Sequence, residues 1–110
     1  MTAHPRVSLN IAGYEKIAET PELRVSVLTL AAGERVPWHR HTRITDTFFC
    51  LEGVMEVQMR DPEGRIELQV GESCAVEPGR PHHAQGKQGG PCRYLLVQGV
   101  GTYDSVPLEP

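Results

Sequence analysis

Two histidines one residue apart, His39 and His41, are followed by a single acidic residue, Asp46. Residues i and i+2 of a β-strand face the same way, so both imidazoles can point into one interior. Asp46 comes five residues after His41, an odd interval, so residues 42–45 must turn or bulge before Asp46 opens the next strand facing inward. Two imidazoles and a carboxylate are a suitable donor set for one divalent transition metal.

A third imidazole, His82, follows the segment VEPGRP at the end of a distant predicted strand. Two turns that each deliver ligands to one interior would form a chemically sensible metal site. Histidines without a metal are common in cores and on surfaces, so spacing alone leaves both interpretations open. The neighbouring His83 faces the other way and is expected to be exposed or at an interface. His4, near the N-terminus, is expected to take no part.

The elements that must position these residues are short strands. Apolar stretches alternate with turn residues, and the chain has 11 Gly and 9 Pro. No stretch has a convincing helical period, and Pro21 interrupts the nearest candidate. The pattern predicts an all-β protein of about eight strands, a small closed or sandwich-like barrel. Alternation assigns these residues to its interior: Phe48, Met55, Val57, Met59, Cys74 and Val76.

The chain of 110 residues favours a single domain. We expect residues 23–100 to form the barrel, residues 1–22 to be an N-terminal segment that covers a barrel or dimer edge, and residues 101–110 to be a C-terminal tail. Odd in number and without a Cys-x-x-Cys spacing, the three cysteines do not predict a disulfide framework. Cys50 and Cys74 are expected to be buried, and Cys92, in a Gly-Pro turn, to be more exposed.

Charge and hydropathy exclude several classes of partner. The net charge is −3 and no basic stripe is present, which argues against nucleic acid and anionic membrane surfaces. No apolar run is long enough for a transmembrane helix. The N-terminal residues lack the pattern of a signal peptide, so a cytoplasmic location is expected.

The spacing of these residues resembles the two motifs of the cupin family. The first family motif is G-x5-H-x-H-x3–4-E-x6-G, and every interval fits this chain, with Asp in place of Glu. The matching residues are Gly33, His39, His41, Asp46 and Gly53.

The second motif of the family is G-x5-P-x-G-x2-H-x3-N. Gly71, Gly79 and His82 fit it, whereas Glu77 stands where Pro is usual and Gly86 where Asn is usual. The resemblance covers about residues 23–99 and implies a jelly-roll barrel, also called a double-stranded β-helix.

The resemblance implies that His39, His41, Asp46 and His82 bind one divalent transition metal: Fe, Mn, Ni, Co or Zn. Asp is one methylene shorter than Glu. The backbone could move inward, a water could bridge Asp46 to the metal, or the three histidines could bind it alone.

Cupins include dioxygenases, isomerases, lyases, decarboxylases, binding proteins and sensors. We expect a metal-dependent enzyme acting on a small organic molecule, with dioxygenase chemistry preferred. The alternatives are an isomerase, lyase or decarboxylase, and a non-catalytic module that binds or senses a small molecule. Candidate catalytic residues are Tyr94 and Arg43, and similarity to other small cupins implies a homodimer.

Overall fold

The computed structural model describes residues 10–110, which form ten β-strands. His4 lies outside this range, and the expectation for it stays a prediction. The strands are β1 (Gly13–Thr20), β2 (Leu23–Leu30), β3 (Arg35–Arg40), β4 (Thr45–Gly53), β5 (Met55–Met59), β6 (Gly64–Leu68), β7 (Ser73–Val76), β8 (His82–Gly86), β9 (Cys92–Gly99) and β10 (Val106–Pro107).

The order in which the strands pair defines the fold. One five-stranded sheet has the order β1-β2-β9-β4-β7 and the other β10-β3-β8-β5-β6, with antiparallel pairing throughout. The pairs β2–β9, β3–β8, β4–β7 and β5–β6 correspond to one long hairpin. Rolling up that hairpin brings β4 beside β9 and β5 beside β8. This arrangement is the jelly roll, and the predicted all-β fold is confirmed.

Two strands extend the eight or so that the sequence predicts. At one end of the chain β1 pairs with β2, from Gly13 opposite Thr29 to Thr20 opposite Leu23. At the other end β10 pairs with β3. Each covers the open edge of a barrel strand, which would otherwise expose unpaired backbone groups. The division of the chain at residues 22 and 100 stays a prediction.

The core lies between the two sheets and follows the predicted alternation. Phe48, Met55, Val57, Met59 and Val76 are all at most 4% exposed and belong to one apolar cluster. Cys74 is half-buried and packs against that cluster. Fully burying a side chain of this size contributes roughly 1.5–3 kcal/mol, so these strands are held mainly by their inward faces.

The exposed position expected for Cys92 is wrong. Cys92 is 4% exposed because the turn ends at Pro91 and Cys92 already belongs to β9, opposite Leu30 and Gly53. Burial raises the pKa of its thiol to about 11, which makes it a poor nucleophile near neutral pH.

Of the two positions predicted for His83, the exposed one is wrong, since this side chain is 6% exposed, and the position at an interface stays a prediction. Strand β8 lies between β3 and β5, and long side chains from neighbouring strands cover its outer face. The Trp38 ring meets His83 edge-on at 4.8 Å, and the Arg60 guanidinium lies 3.8 Å from the Trp38 ring. Burial lowers the pKa of His83. None of the described residues forms a helix long and apolar enough to cross a bilayer.

Candidate metal centre

Three neighbouring parts of the barrel bring the predicted ligands together. His39 lies near the end of β3, directly opposite His82, the first residue of β8. His41 follows β3, and a turn over residues 42–44 leads to Asp46, the second residue of β4. The turn that the odd interval requires is therefore present, and Asp46 faces inward.

The four side chains form a compact group that could hold a metal. Their ligand atoms all lie within 4.8 Å of one another. Asp46 Oδ2 is 3.0 Å from His41 Nε2 and 2.9 Å from His82 Nε2. His41, Asp46 and His82 are at most 2% exposed, whereas His39 is only half-buried and marks the open side of the group.

Hydrogen bonds to the backbone determine which ring nitrogen of each histidine faces the group. Each Nδ1 lies beside a carbonyl oxygen, which can only accept, so Nδ1 carries the hydrogen. The acceptors are Pro37 for His39 at 2.7 Å, Asp104 for His41 at 2.5 Å and Arg80 for His82 at 2.9 Å. This tautomer leaves each Nε2 lone pair available, as in metal-binding histidines whose outer nitrogen is held by a second group.

The facing acceptor atoms of the group must be bridged by a positive charge. With hydrogen on Nδ1, the Nε2 atoms of His41 and His82 are acceptors, and they face another acceptor, Asp46 Oδ2. Either extra protons on the imidazoles or a metal ion must lie between these lone pairs. Three imidazole nitrogens and one carboxylate oxygen suit a divalent transition metal, so the residues present fit the predicted cofactor.

Local electrostatics have opposite effects on the protonation of the two neighbouring histidines His39 and His41. Burial lowers the pKa of His39 to about 4, so this imidazole is neutral at pH 7. Burial also opposes charge on His41, but the hydrogen bond and the charge of Asp46 outweigh it, and the pKa of His41 is raised. For Asp46, burial is outweighed by hydrogen bonds from His41 and His82, which hold its pKa well below the usual range.

The shorter side chain of Asp46 reaches the group with help from Gln98. The two residues lie opposite each other on β4 and β9, and Gln98 Nε2 donates to Asp46 Oδ1 at 3.1 Å. With Oδ1 held, Oδ2 points at the two imidazoles. Direct coordination, coordination through water and binding by the histidines alone all stay predictions.

The two predicted catalytic candidates do not belong to the four-residue group. Tyr94 is 1% exposed and packs against Phe48 at 5.6 Å, two inward-facing positions deeper along β9 than Gln98. Burial raises the pKa of Tyr94 well above its usual value. Arg43 is exposed in the turn between β3 and β4. Their catalytic roles stay predictions.

Three further residues near the group were not predicted from the sequence to belong to the site. The Tyr103 ring lies 5.4 Å from the His41 ring, and the Arg24 guanidinium carbon lies 3.9 Å from the Tyr103 ring centre. Asp104 accepts from His41 through its carbonyl and from Thr42 through its carboxylate. More than 60 residues separate Asp104 from both partners, so no local spacing points to these contacts.

Comparison with known proteins assigns the family. The family model for the cupin domain matches residues 26–98, which is most of the chain. This chain belongs to the cupin family. The four candidate ligands of this cupin all lie within the matched range, whereas Arg24, Tyr103 and Asp104 lie outside it.

Solved structures show the same fold. A double-stranded β-helix protein from Klebsiella pneumoniae has a TM-score of 0.77 at 22% identity, covering 96% of this cupin and 90% of that chain. A cupin-2 protein from Shewanella frigidimarina gives 0.66 at 21%, covering 81% of each chain. The DMSP lyase DddQ from Ruegeria pomeroyi gives 0.66 at 20%, covering 79% of this chain and 46% of that one. No curated protein sequence matches this cupin.

Proposed function

We propose that this cupin binds one divalent transition metal through His39, His41, Asp46 and His82 and uses it to transform a small organic molecule. The observation that carries this proposal is the convergence of the Nε2 atoms of His41 and His82 on one carboxylate oxygen of Asp46, in a group whose ligand atoms all lie within 4.8 Å of one another. Backbone carbonyls hold all three histidines in the tautomer that a metal requires. Such an arrangement is costly to bury unless protons or a metal ion bridge the facing acceptor atoms.

The donor set favours non-heme iron(II) and dioxygenase chemistry. Imidazole and carboxylate ligands suit Fe(II), and also Mn, Ni, Co and Zn. A bound metal would supply either a site for oxygen activation or a Lewis acid that polarises a substrate oxygen. The same fold carries many reactions, so an isomerase, lyase or decarboxylase is the alternative, followed by a binding or sensing protein without turnover.

The chain itself orients the ligands and surrounds most of them with buried side chains. Three of the four ligands are buried, and the Phe48 ring meets His82 edge-on at 6.0 Å. Tyr103 covers His41, while the half-buried His39 leaves a path for a small molecule. A small substrate would therefore reach the group from the His39 side.

Oxygen uptake by metal-loaded protein tests the reaction class. The protein is loaded anaerobically with Fe(II) and mixed with oxygen and a panel of small organic molecules, with Zn(II)-loaded protein and His82→Ala as controls. Oxygen consumption that needs both Fe(II) and an organic substrate supports a dioxygenase. Turnover without oxygen favours the isomerase, lyase or decarboxylase alternative. Saturable binding without turnover leaves the binding module. Tyr94→Phe and Arg43→Gln in the same assay test the two catalytic candidates.

A further inference from the structure

The inner face of β2 carries two polar residues that metal binding does not use, Arg24 and Ser26. Arg24 lies directly opposite Gln98, whose side chain points inward and holds Asp46. Opposed residues of antiparallel strands point to the same face of the sheet, and so do residues i and i+2. Arg24 and Ser26 therefore share the face that carries the candidate metal group.

Tyr103 holds the charge of Arg24 close to that group. The guanidinium carbon lies 3.9 Å from the centre of the Tyr103 ring, within the range of a cation–π contact. The same Tyr103 ring lies 5.4 Å from the His41 ring between ring centres. Tyr103 therefore neighbours both a positive charge and one of the candidate metal ligands.

Both polar side chains have unmet hydrogen-bonding capacity. Arg24 Nε and Ser26 Oγ are buried and have no hydrogen-bond partner among residues 10–110. Ser26 is fully buried, and the side chain of Arg24 is 14% exposed. Burying such groups is unfavourable unless an acceptor meets them, so an acceptor from a ligand would stabilise this part of the barrel.

An acidic residue of the same chain does not meet this need. Glu19 Oε2 lies 3.8 Å from Arg24 Nε, which is an ion pair but too long for a hydrogen bond. Glu19 also pairs with Lys16, and its side chain is 41% exposed. Glu19 therefore balances part of the charge of Arg24 but does not accept a hydrogen bond from its Nε–H.

We propose that Arg24 and Ser26 bind the carboxylate group of the substrate beside the metal group. The inference rests on the proposed function and narrows its substrate class to small carboxylic acids that carry a second oxygen function for the metal side. A carboxylate offers two planar acceptor oxygens, which suit a guanidinium and a hydroxyl. Its single negative charge also matches one arginine that is already partly balanced by Glu19.

Calorimetric titration of metal-loaded protein tests this assignment without requiring turnover. The protein is loaded with Zn(II), its metal content is measured, and it is titrated with glycolate and with the neutral analogue glycolamide. We expect glycolate to bind at least about 10-fold more tightly than glycolamide. Arg24→Gln should weaken glycolate binding by about 10- to 100-fold and abolish this preference, at unchanged metal content.

Matched variants separate this proposal from general effects of charge. Arg93→Gln removes the same charge from the outer face of the same sheet, where Arg93 pairs with Glu52, and should leave glycolate binding unchanged. Ser26→Ala should weaken glycolate binding by a smaller factor, and Glu19→Gln should strengthen it. Ser26→Ala also decides the question if Arg24→Gln does not fold.

Four results would overturn the carboxylate site. They are equal binding of glycolate and glycolamide, equal effects of Arg24→Gln and Arg93→Gln, unchanged glycolate binding in Ser26→Ala, and Arg24-dependent binding of inorganic phosphate in place of glycolate. Failure of the wild type to bind metal would instead contradict the proposed function, because metal content is measured first. The two failures are therefore distinguishable.

Discussion

Gln98 donates a hydrogen bond to Asp46 across β9 and β4, with Nε2 3.1 Å from Oδ1. This contact leaves Oδ2 as the oxygen that faces the imidazoles of His41 and His82. Both partners are buried, Gln98 at 7% and Asp46 at 1% exposed. The amide therefore acts as a positioning group for the carboxylate, a role that groups behind metal ligands commonly have.

Replacing Gln98 should weaken metal binding without removing a ligand. Gln98→Leu leaves Asp46 Oδ1 unpaired and free to rotate away, and we expect metal affinity to fall by about 10- to 100-fold. The measurement is competition with a chromophoric chelator. The matched control is Gln85→Leu, which removes another amide–carboxylate contact, to Glu56 at 3.3 Å, away from the group. Equal affinities of the two variants would contradict the positioning role.

The protonation of His41 predicts opposite pH trends for metal-free and metal-loaded protein. The pKa of His41 is raised in the folded state, mainly because Asp46 outweighs burial, so its stabilising effect is complete below pH 6.5. That effect is lost as pH rises through the folded pKa. The pKa of His39 is lowered, so its contribution changes only below pH 6.5. In the presence of a chelator, the melting temperature of the metal-free protein should therefore fall as the pH is raised from 6.5 to 8.5.

Metal loading should oppose this fall in melting temperature, because a bound metal requires neutral His41 and competes with its proton. Metal affinity should therefore rise over the same pH range, by up to about 10-fold per pH unit below the pKa of His41. Melting curves and chelator competition at each pH measure the two effects. His41→Ala should flatten the trend of the metal-free protein. A melting temperature of the metal-free wild type that rises from pH 6.5 to 8.5 would contradict this account.

A homodimer is predicted as the assembly, and exposed apolar side chains on the strands support it. Phe49 and Leu51 on β4 are 36% and 37% exposed, and Ile17 on β1 is 53% exposed. Light scattering over a range of concentrations should give twice the mass of one chain. Phe49→Ser should shift the equilibrium towards the monomer. A wild-type protein that stays monomeric at high concentration would show the prediction to be wrong.

The fold and the inward positions of His39, His41 and Asp46 could be predicted because their signals are local. Period-two alternation identified the inward residues, and the intervals among His39, His41 and Asp46 imposed a turn. His82 needed the second motif, since its position opposite His39 depends on strand pairing.

Features that depend on contacts between distant segments could not be predicted in this way. Tyr103 and Asp104 reach His41 because the segment after β9 returns to β3, which β10 then covers. The role proposed for Arg24 depends on its register opposite Gln98. The error on His83 has a similar origin: Trp38, on a neighbouring strand, covers an outer face that alternation alone leaves to solvent.

Metal content of the purified protein tests the central claim most directly. Elemental analysis should give about one transition metal per chain in the wild type and in His83→Asn, a matched change beside the ligands, and none in His41→Ala. Loss in Asp46→Ala as well would make the carboxylate a required ligand. A wild type that holds no metal even after reconstitution, or His41→Ala that holds as much as His83→Asn, would contradict the account.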